Sequence, residues 1–196
     1  MKLLVATTNT GKLREIAGIL TGLPMALVSL AQLPALQEPE ETGRTFAENA
    51  RLKALYYNEA TGLPSVADDS GLEIAALDGL PGVQSARWEG DDYTVKFRKI
   101  YELLDARNAR RSPARFVCHV ALAHEGRIVF ESEGIIEGVV ADEPRGDQGF
   151  GYDPIFYYPP LGKTSAEMDR DLKATVSHRG SAFSSLAHFL RKWKRE

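Results

Sequence analysis

Two adjacent carboxylates, Asp68 and Asp69, follow the apolar run Leu63 to Ala67 and precede Ser70-Gly71-Leu72. Asp is depleted in strands, so a pair at a strand's C-terminal end must be reconciled with the core beneath it. Opening into a cleft and binding a cation would do so. Mg²⁺ suits hard carboxylate oxygens and keeps several waters, an arrangement common in phosphate chemistry. Asp-Ser-Gly is also ordinary turn chemistry, so the octapeptide alone leaves both readings open.

Other segments carry complementary groups. Thr7, Thr8, Asn9, Thr10, Gly11 and Lys12 combine small polar side chains, a glycine and a lysine just before a helix. Backbone N–H groups and the positive dipole end favour an anion there, although a plain helix cap has the same composition. Glu38, Glu40 and Glu41 crowd one loop, where either a cation or open solvent relieves their repulsion. Residues 144–154 form a glycine-rich loop in which Phe150 lies between Gly149 and Gly151, followed by Tyr152 and Asp153. An aromatic ring so placed can lie flat on a nucleobase. Lys173, His178 and Arg179 add three donors near the start of the last helix.

Two nucleotide motifs are excluded. Gly162-Lys163-Thr164 resembles the end of a Walker A loop, but Tyr157 stands where its first glycine belongs. Gly149-x-Gly151 lacks the third glycine of a dinucleotide fingerprint, Pro154 standing there.

The elements that position these groups read as strands and helices in alternation, an α/β fold, with no internal repeat and no obvious boundary within residues 1–196. Leu3 to Ala6 is strand-like. Leu13, Ile16, Ala17 and Leu20 mark a helix closed by Gly22 and Pro24. Residues 31–44 read as loop, and Thr45-x-x-Glu48 is a capping box opening a helix through about Glu59. The strand ending at the Asp pair is followed by a second, Leu72 to Ala75. Tyr93, Phe97, Ile100 and Leu104 mark a third helix. Three β-rich runs follow, Arg115 to Ala123, Arg127 to Glu133 and Gly134 to Val140, with a tight hairpin at His124-Glu125-Gly126. Ile155 to Tyr158 is a short strand, Thr164-x-x-Glu167 a second capping box, and residues 178–194 a final helix.

Bulk properties narrow the class. A net charge of −3 argues against a general nucleic-acid binder. The basic run Arg191-Lys192-Trp193-Lys194-Arg195 fits the last turn of a helix, where cations are favoured. Cys118 is the only cysteine, which leaves no disulfide framework, and its apolar neighbours make it a buried, inert thiol. His119, His124 and His188 lack metal-ligand spacing and read as structural. With no signal-peptide layout and no apolar stretch of membrane-spanning length, a soluble cytoplasmic protein with no membrane partner is expected.

Six segments in order then resemble one family. They are Thr7 to Lys12, Glu41-Thr42-Gly43-x-Thr45-Phe46-x-Glu48-Asn49-Ala50, and Ala67 to Leu72. Pro81-Gly82-Val83-x-Ser85-Ala86-Arg87, Gly149 to Pro154, and Ser177-His178-Arg179-Gly180 complete the set. The chain resembles the inosine/xanthosine triphosphate pyrophosphatases from residue 3 to about 187. Trp88 stands where an aromatic such as Tyr is usual in that family, a mild departure.

The resemblance implies an elongated mixed sheet flanked by helices, with two lobes around a central cleft, and a homodimer. It implies hydrolysis of ITP, dITP and XTP to the monophosphate and pyrophosphate with Mg²⁺. Asp69 would be both metal ligand and base, with Asp68 assisting and Glu40 or Glu41 completing the metal site. Thr7 to Lys12 and Lys173 would grip phosphates, and Ser70 would bond a phosphate or hold the Asp loop. Phe150 would stack the base, with Gly151, Tyr152, Asp153, His178 and Arg179 around its edge. The alternatives are another nucleotide hydrolase, for instance one acting on pyrimidine or modified triphosphates with the same Mg²⁺ machinery, and a non-catalytic nucleotide-binding module. The intact Asp pair speaks against the second.

Overall fold

A computed structural model describes residues 2–193. In chain order the strands are β1 (Lys2–Val5), β2 (Ala26–Ser29), β3 (Ser65–Ile74), β4 (Pro113–His124), β5 (Arg127–Val140), β6 (Phe156–Tyr158) and β7 (Lys163–Thr164). The helices are α1 (Thr10–Ile19), α2 (Phe46–Thr61), α3 (Tyr93–Ala106), α4 (Arg170–Val176) and α5 (His178–Lys192). Among the described residues the strands form one sheet in the order β2-β1-β3-β4-β5-β6-β7. It is mixed: β1 runs parallel to β2 and β3, while β6 runs antiparallel to β5 and β7.

The chain divides into two compact units. Within the described residues, 2–69, 118–134 and 178–193 make the first, and 70–117 and 135–177 the second.

In the first unit, period-two alternation sends successive side chains to opposite sheet faces. Leu3, Val5, Val66, Cys118, Val120 and Leu122 pack with Ile16 and Leu20 of α1 and Phe183, Leu186 and Leu190 of α5. Leu4, Ala67, Ala121 and Ala123 pack with Ala50, Ala54 and Tyr57 of α2. In the second unit, Leu72, Ile74, Phe116, Ile136 and Val140 pack against Ile100 and Leu104 of α3 and against Tyr152 and Phe156.

Several elements follow the sequence reading. Thr45 caps α2, its side chain accepting from the Glu48 N–H at 3.2 Å, but Glu48 reaches back to the Arg44 N–H instead of completing the box. Gly62 ends α2 in the left-handed conformation. Glu125 and Gly126, both at positive φ, form the two-residue hairpin between β4 and β5.

Other elements differ. The Asp pair does not end a strand: β3 runs unbroken through Asp68, Asp69, Ser70 and Gly71 to Ile74. The runs before and after Gly134 are likewise one strand, β5. A Cβ on Gly134 would collide with the His178 carbonyl, so this glycine lets the start of α5 approach the strand and does not mark a break. Strand β2 went unread because four residues beside Pro24 carry too little alternation. Helix α1 begins at Thr10, because Asn9 caps it by accepting from the Lys12 N–H at 3.0 Å. Thr164 and Glu167 do form a reciprocal box, but it opens a single 3₁₀ turn, and Asp169 caps α4. The last helix ends at Lys192. Lys194 and Arg195 of the basic run lie outside the described residues.

Candidate active site

Continuity of β3 through the Asp pair has a direct consequence. Neighbouring residues on a strand face opposite ways, so Asp68 follows Val66 toward α1 and α5, and Asp69 follows Ala67 toward α2. The two carboxylates therefore meet different partners.

Asp68 sits among cations. Lys12 Nζ from the first turn of α1 lies 2.9 Å from Asp68 Oδ2, and Arg179 Nε from the first turn of α5 lies 3.7 Å from the same oxygen. Arg179 also donates to Glu15 Oε2 at 2.6 Å, and Glu15 stands one helical turn beyond Lys12. Behind the carboxylate, the Cys118 thiol donates to Asp68 Oδ2 at 3.8 Å. Burial alone would raise the Asp68 carboxyl, but Lys12, Arg179 and Lys53 outweigh it and hold it well below the usual range. Asp68 is a fixed anion. Burial and the Asp68 charge push the Cys118 thiol far up, so the cysteine is inert as expected.

Asp69 faces α2. Asn49, fully buried, donates to Asp69 Oδ2 at 3.1 Å and accepts the Gly43 N–H at 2.8 Å. Lys53, one turn further on, places Nζ 3.1 Å from Asp69 Oδ1 and 2.7 Å from Glu41 Oε1. A Cβ on Gly43 would overlap the Asn49 amide, so this position has to be glycine for the 41–43 loop to lie on α2. Burial raises the Asp69 carboxyl and Glu41 adds to it, while Lys53, Lys12 and Asn49 oppose; the net direction is up. The pair thus splits into a carboxylate locked as an anion and one whose proton affinity is raised, the separation that acid–base work needs.

Glu41 and Asp69 converge on the Lys53 ammonium, a cation held by two hard carboxylates, whereas Glu40 is exposed. Among the described residues no three His, Cys, Asp or Glu side chains form a metal cage. Two carboxylates fit Mg²⁺ in its usual mode, with waters and substrate phosphates supplying the rest.

The remaining expected groups of the first unit lie at the start of two helices. Thr7 is half-buried, Thr8, Asn9 and Thr10 are exposed, and Gly11 sits in the first turn of α1. His178 and Arg179 are both buried at the start of α5, Arg179 turned toward Glu15 and Asp68.

In the second unit, Ser70 is half-buried on β3. Asp153 Oδ2 accepts the Phe150 N–H at 2.7 Å and the Lys173 ammonium at 2.6 Å. Lys173 Nζ lies 5.1 Å from the centroid of the half-buried Phe150 ring. Gly149 and Gly151 both take positive φ, and a Cβ on Gly149 would strike the Asp153 carboxylate. Tyr152 is buried, its hydroxyl donating inward to the Ser85 carbonyl at 2.9 Å. Lys173 and Asp153 thus form a buried ion pair that shapes the loop carrying Phe150.

Asn49, Lys53 and Glu15 had no assigned role in the sequence reading. Their signal was helical spacing: Asn49 and Lys53 at i, i+4 behind the Glu-Thr-Gly loop, and Glu15 at i+3 from Lys12.

Strand β3, interior to the α/β sheet, thus offers two adjacent carboxylates to opposite layers, each met by cations. The family follows from comparison: residues 3–189 match the Ham1 family, and the chain belongs to it. It is similar to the dITP/XTP pyrophosphatase of Geobacter sulfurreducens, 46% identical over 191 residues covering 96% of each chain. The dITP/XTP pyrophosphatase of Thermus thermophilus is 49% identical over 188 residues, 95% of this chain and 90% of that one. Among solved structures, a HAM1 protein from Coxiella burnetii superposes with a TM-score of 0.88 at 39% identity, covering 98% of this chain and 100% of the other. The Staphylococcus aureus Ham1 protein gives 0.86 at 36% identity, covering 99% and 100%.

Proposed function

We propose that this chain hydrolyses deaminated purine nucleoside triphosphates, ITP, dITP and XTP, to the monophosphate and pyrophosphate, as a Mg²⁺-dependent homodimer in the cytoplasm. The single observation carrying this reading is the split carboxylate pair, Asp69 raised beside Lys53 and Glu41, Asp68 held as an anion by Lys12 and Arg179. The names of the relatives in Geobacter and Thermus support the substrate class. No helix among the described residues is long and apolar enough to cross a membrane.

Asp69 takes the proton of a water whose oxygen attacks the α-phosphorus. The bond from that phosphorus to the α–β bridging oxygen breaks, and pyrophosphate leaves. A base so placed contributes about 10²–10⁴ in rate. Lys12 and Lys53 bind phosphate oxygens, and the backbone of Thr7 to Gly11 adds donors at the start of α1. Asp69 and Glu41 are the side chains to hold Mg²⁺, which when bound neutralises triphosphate charge and polarises the attacked phosphoryl group.

Phe150 stacks the base, with the Asp153–Lys173 pair fixing its loop. Hypoxanthine and xanthine present an acceptor at position 6 where adenine presents an amino donor. A site offering donors there disfavours adenine by up to ~10⁴. Incubating the purified protein with ITP, dITP, XTP, GTP and ATP and assaying released pyrophosphate tests the reading. Pyrophosphate from the first three in preference to ATP is expected. With pyrimidine triphosphates added to the panel, pyrophosphate from them in preference to these three points to another nucleotide hydrolase with the same machinery, and binding without turnover to a non-catalytic module.

A further inference from the structure

Lys96 is fully buried in the second unit, yet nothing in the proposed chemistry uses it. Burying an ammonium ion is costly unless polar groups replace its water. Here its Nζ donates to the Ala86 carbonyl at 2.6 Å and to the Ser85 carbonyl at 3.2 Å. It lies 4.6 Å from the Tyr93 ring centroid and 5.8 Å from that of Tyr152. Two carbonyl oxygens and two aromatic faces form a cation cage contributed by the chain itself. Burial pulls the ammonium's proton affinity down, and the Asp91 charge opposes this.

The cage joins two segments far apart in sequence. Ser85 Oγ donates to the Gly82 carbonyl at 2.6 Å and accepts the Leu72 N–H at 2.9 Å, and a Cβ on Gly71 would overlap Ser85. The turn at 82–86 is therefore fastened to β3 just beyond the Asp pair. The Ser85 carbonyl takes a second donor, the Tyr152 hydroxyl, and Tyr152 meets Tyr93 edge-on with centroids 5.2 Å apart. Tyr152 is flanked by Gly151 and Asp153 of the loop that presents Phe150.

We propose that Lys96 is a positioning residue: its caged ammonium fixes the Ser85 carbonyl and the Tyr152 ring, and so sets the conformation of the 149–153 loop for a purine. This rests on the reading of Phe150 as the base-stacking residue. Removing the charge should loosen the loop without touching the carboxylate chemistry, so substrate affinity should fall while turnover at saturation holds.

The test is Lys96→Met, matched in length and without donors, with Lys96→Arg as the conservative partner. Hydrogen exchange on the free protein reads the loop without any substrate. The Phe150 and Asp153 amides should exchange at least ~10-fold faster in Lys96→Met, with amides of the first unit unchanged. The KM for ITP should rise ~5-fold or more with kcat within a factor of about two, and Lys96→Arg should recover part of it. A change in apparent kcat alone, at unchanged KM and loop exchange, would mean a merely structural lysine and overturn the proposal. Should Lys96→Met not fold, Tyr152→Phe decides. It removes the hydroxyl bond to Ser85, and unchanged loop exchange there overturns the proposal as well. Faster exchange in a protein whose wild type hydrolyses no triphosphate would leave the cage standing and sink the nucleotide reading.

Discussion

The Lys12 ammonium lies 2.9 Å from the Asp68 carboxylate, which exposes only 1% of its side-chain surface. Arg179 approaches the same oxygen, so two cations from two helices share one anion. Asp69, next along β3, faces the other layer and touches Asn49 and Lys53. Two adjacent residues of one type should therefore respond differently to the same substitution.

Asp69→Asn removes the base and one carboxylate of the cation site but leaves Lys53 paired with Glu41. Turnover should fall at least ~10²-fold with a modest loss of stability. Asp68→Asn instead leaves Lys12 facing a neutral amide and Arg179 with Glu15 as its carboxylate partner. Breaking such a buried pair costs about 3–5 kcal/mol, so this variant should melt well below Asp69→Asn. Thermal melts and ITP kinetics on both decide it, and equal melting temperatures would contradict the division of roles.

Lys12→Ala and Lys173→Ala also separate. Lys12 is partly exposed at a helix start, whereas Lys173 is buried against Asp153. Lys173→Ala should lower stability by about 3 kcal/mol, because the buried Asp153 carboxylate loses its ammonium. Lys12→Ala should raise the KM for ITP. A Lys173→Ala protein as stable as wild type would show that the pair does not hold the loop.

Phe150→Ala should weaken ITP, XTP and residual GTP alike, by ~1–3 kcal/mol of binding, because stacking barely distinguishes bases. Loss of a core phenylalanine would appear in stability instead, at ~3–5 kcal/mol. The half-buried ring beneath the Lys173 ammonium favours the first outcome. The ratio of kcat/KM for ITP to that for GTP should stay near its wild-type value. An earlier melt with unchanged KM would return Phe150 to the core.

Glu131 on β5 accepts from Arg51 Nε at 2.6 Å and lies 3.0 Å from His119 Nε2. Partial burial would raise its carboxyl, but the bonds from Arg51 and His119 outweigh this and lower it. The unfolded chain thus binds this proton more tightly than the folded one. The stabilisation is complete above the ordinary Glu value of about 4.3 and is lost as pH falls through the lower folded-state value. The group is partly exposed, so the effect is small. Wild type should out-melt Glu131→Gln at neutral pH, with the gap closing below about pH 4. A gap constant down to pH 3 would contradict the linkage.

Much of this was legible in the sequence because it is local. The lysine at a helix start, the Asp pair after an apolar run and the aromatic between two glycines are all short-range patterns. The continuity of β3 was not legible, because Asp-Asp-Ser-Gly scores as a turn by local chemistry and only pairing within the sheet makes it a strand. Arg179 and Glu15 stand 164 residues apart, and no spacing rule links them. Nothing local marks the pairing of Lys173 with Asp153, 20 residues earlier, inside the second unit. Lys96 stands at helical spacing from Tyr93, Ile100 and Leu104 on the buried face of α3, but the carbonyls that hold its ammonium come from a different loop, which no spacing rule reveals.

The most direct measurement is a single turnover of ITP in water labelled with heavy oxygen, with Mg²⁺ present and the products weighed by mass spectrometry. Attack on the α-phosphorus by a water activated at Asp69 predicts one labelled oxygen in the monophosphate, none in pyrophosphate, and a rate at least ~10²-fold lower in Asp69→Asn. Label in the pyrophosphate, release of orthophosphate, or an undiminished rate in Asp69→Asn would contradict it.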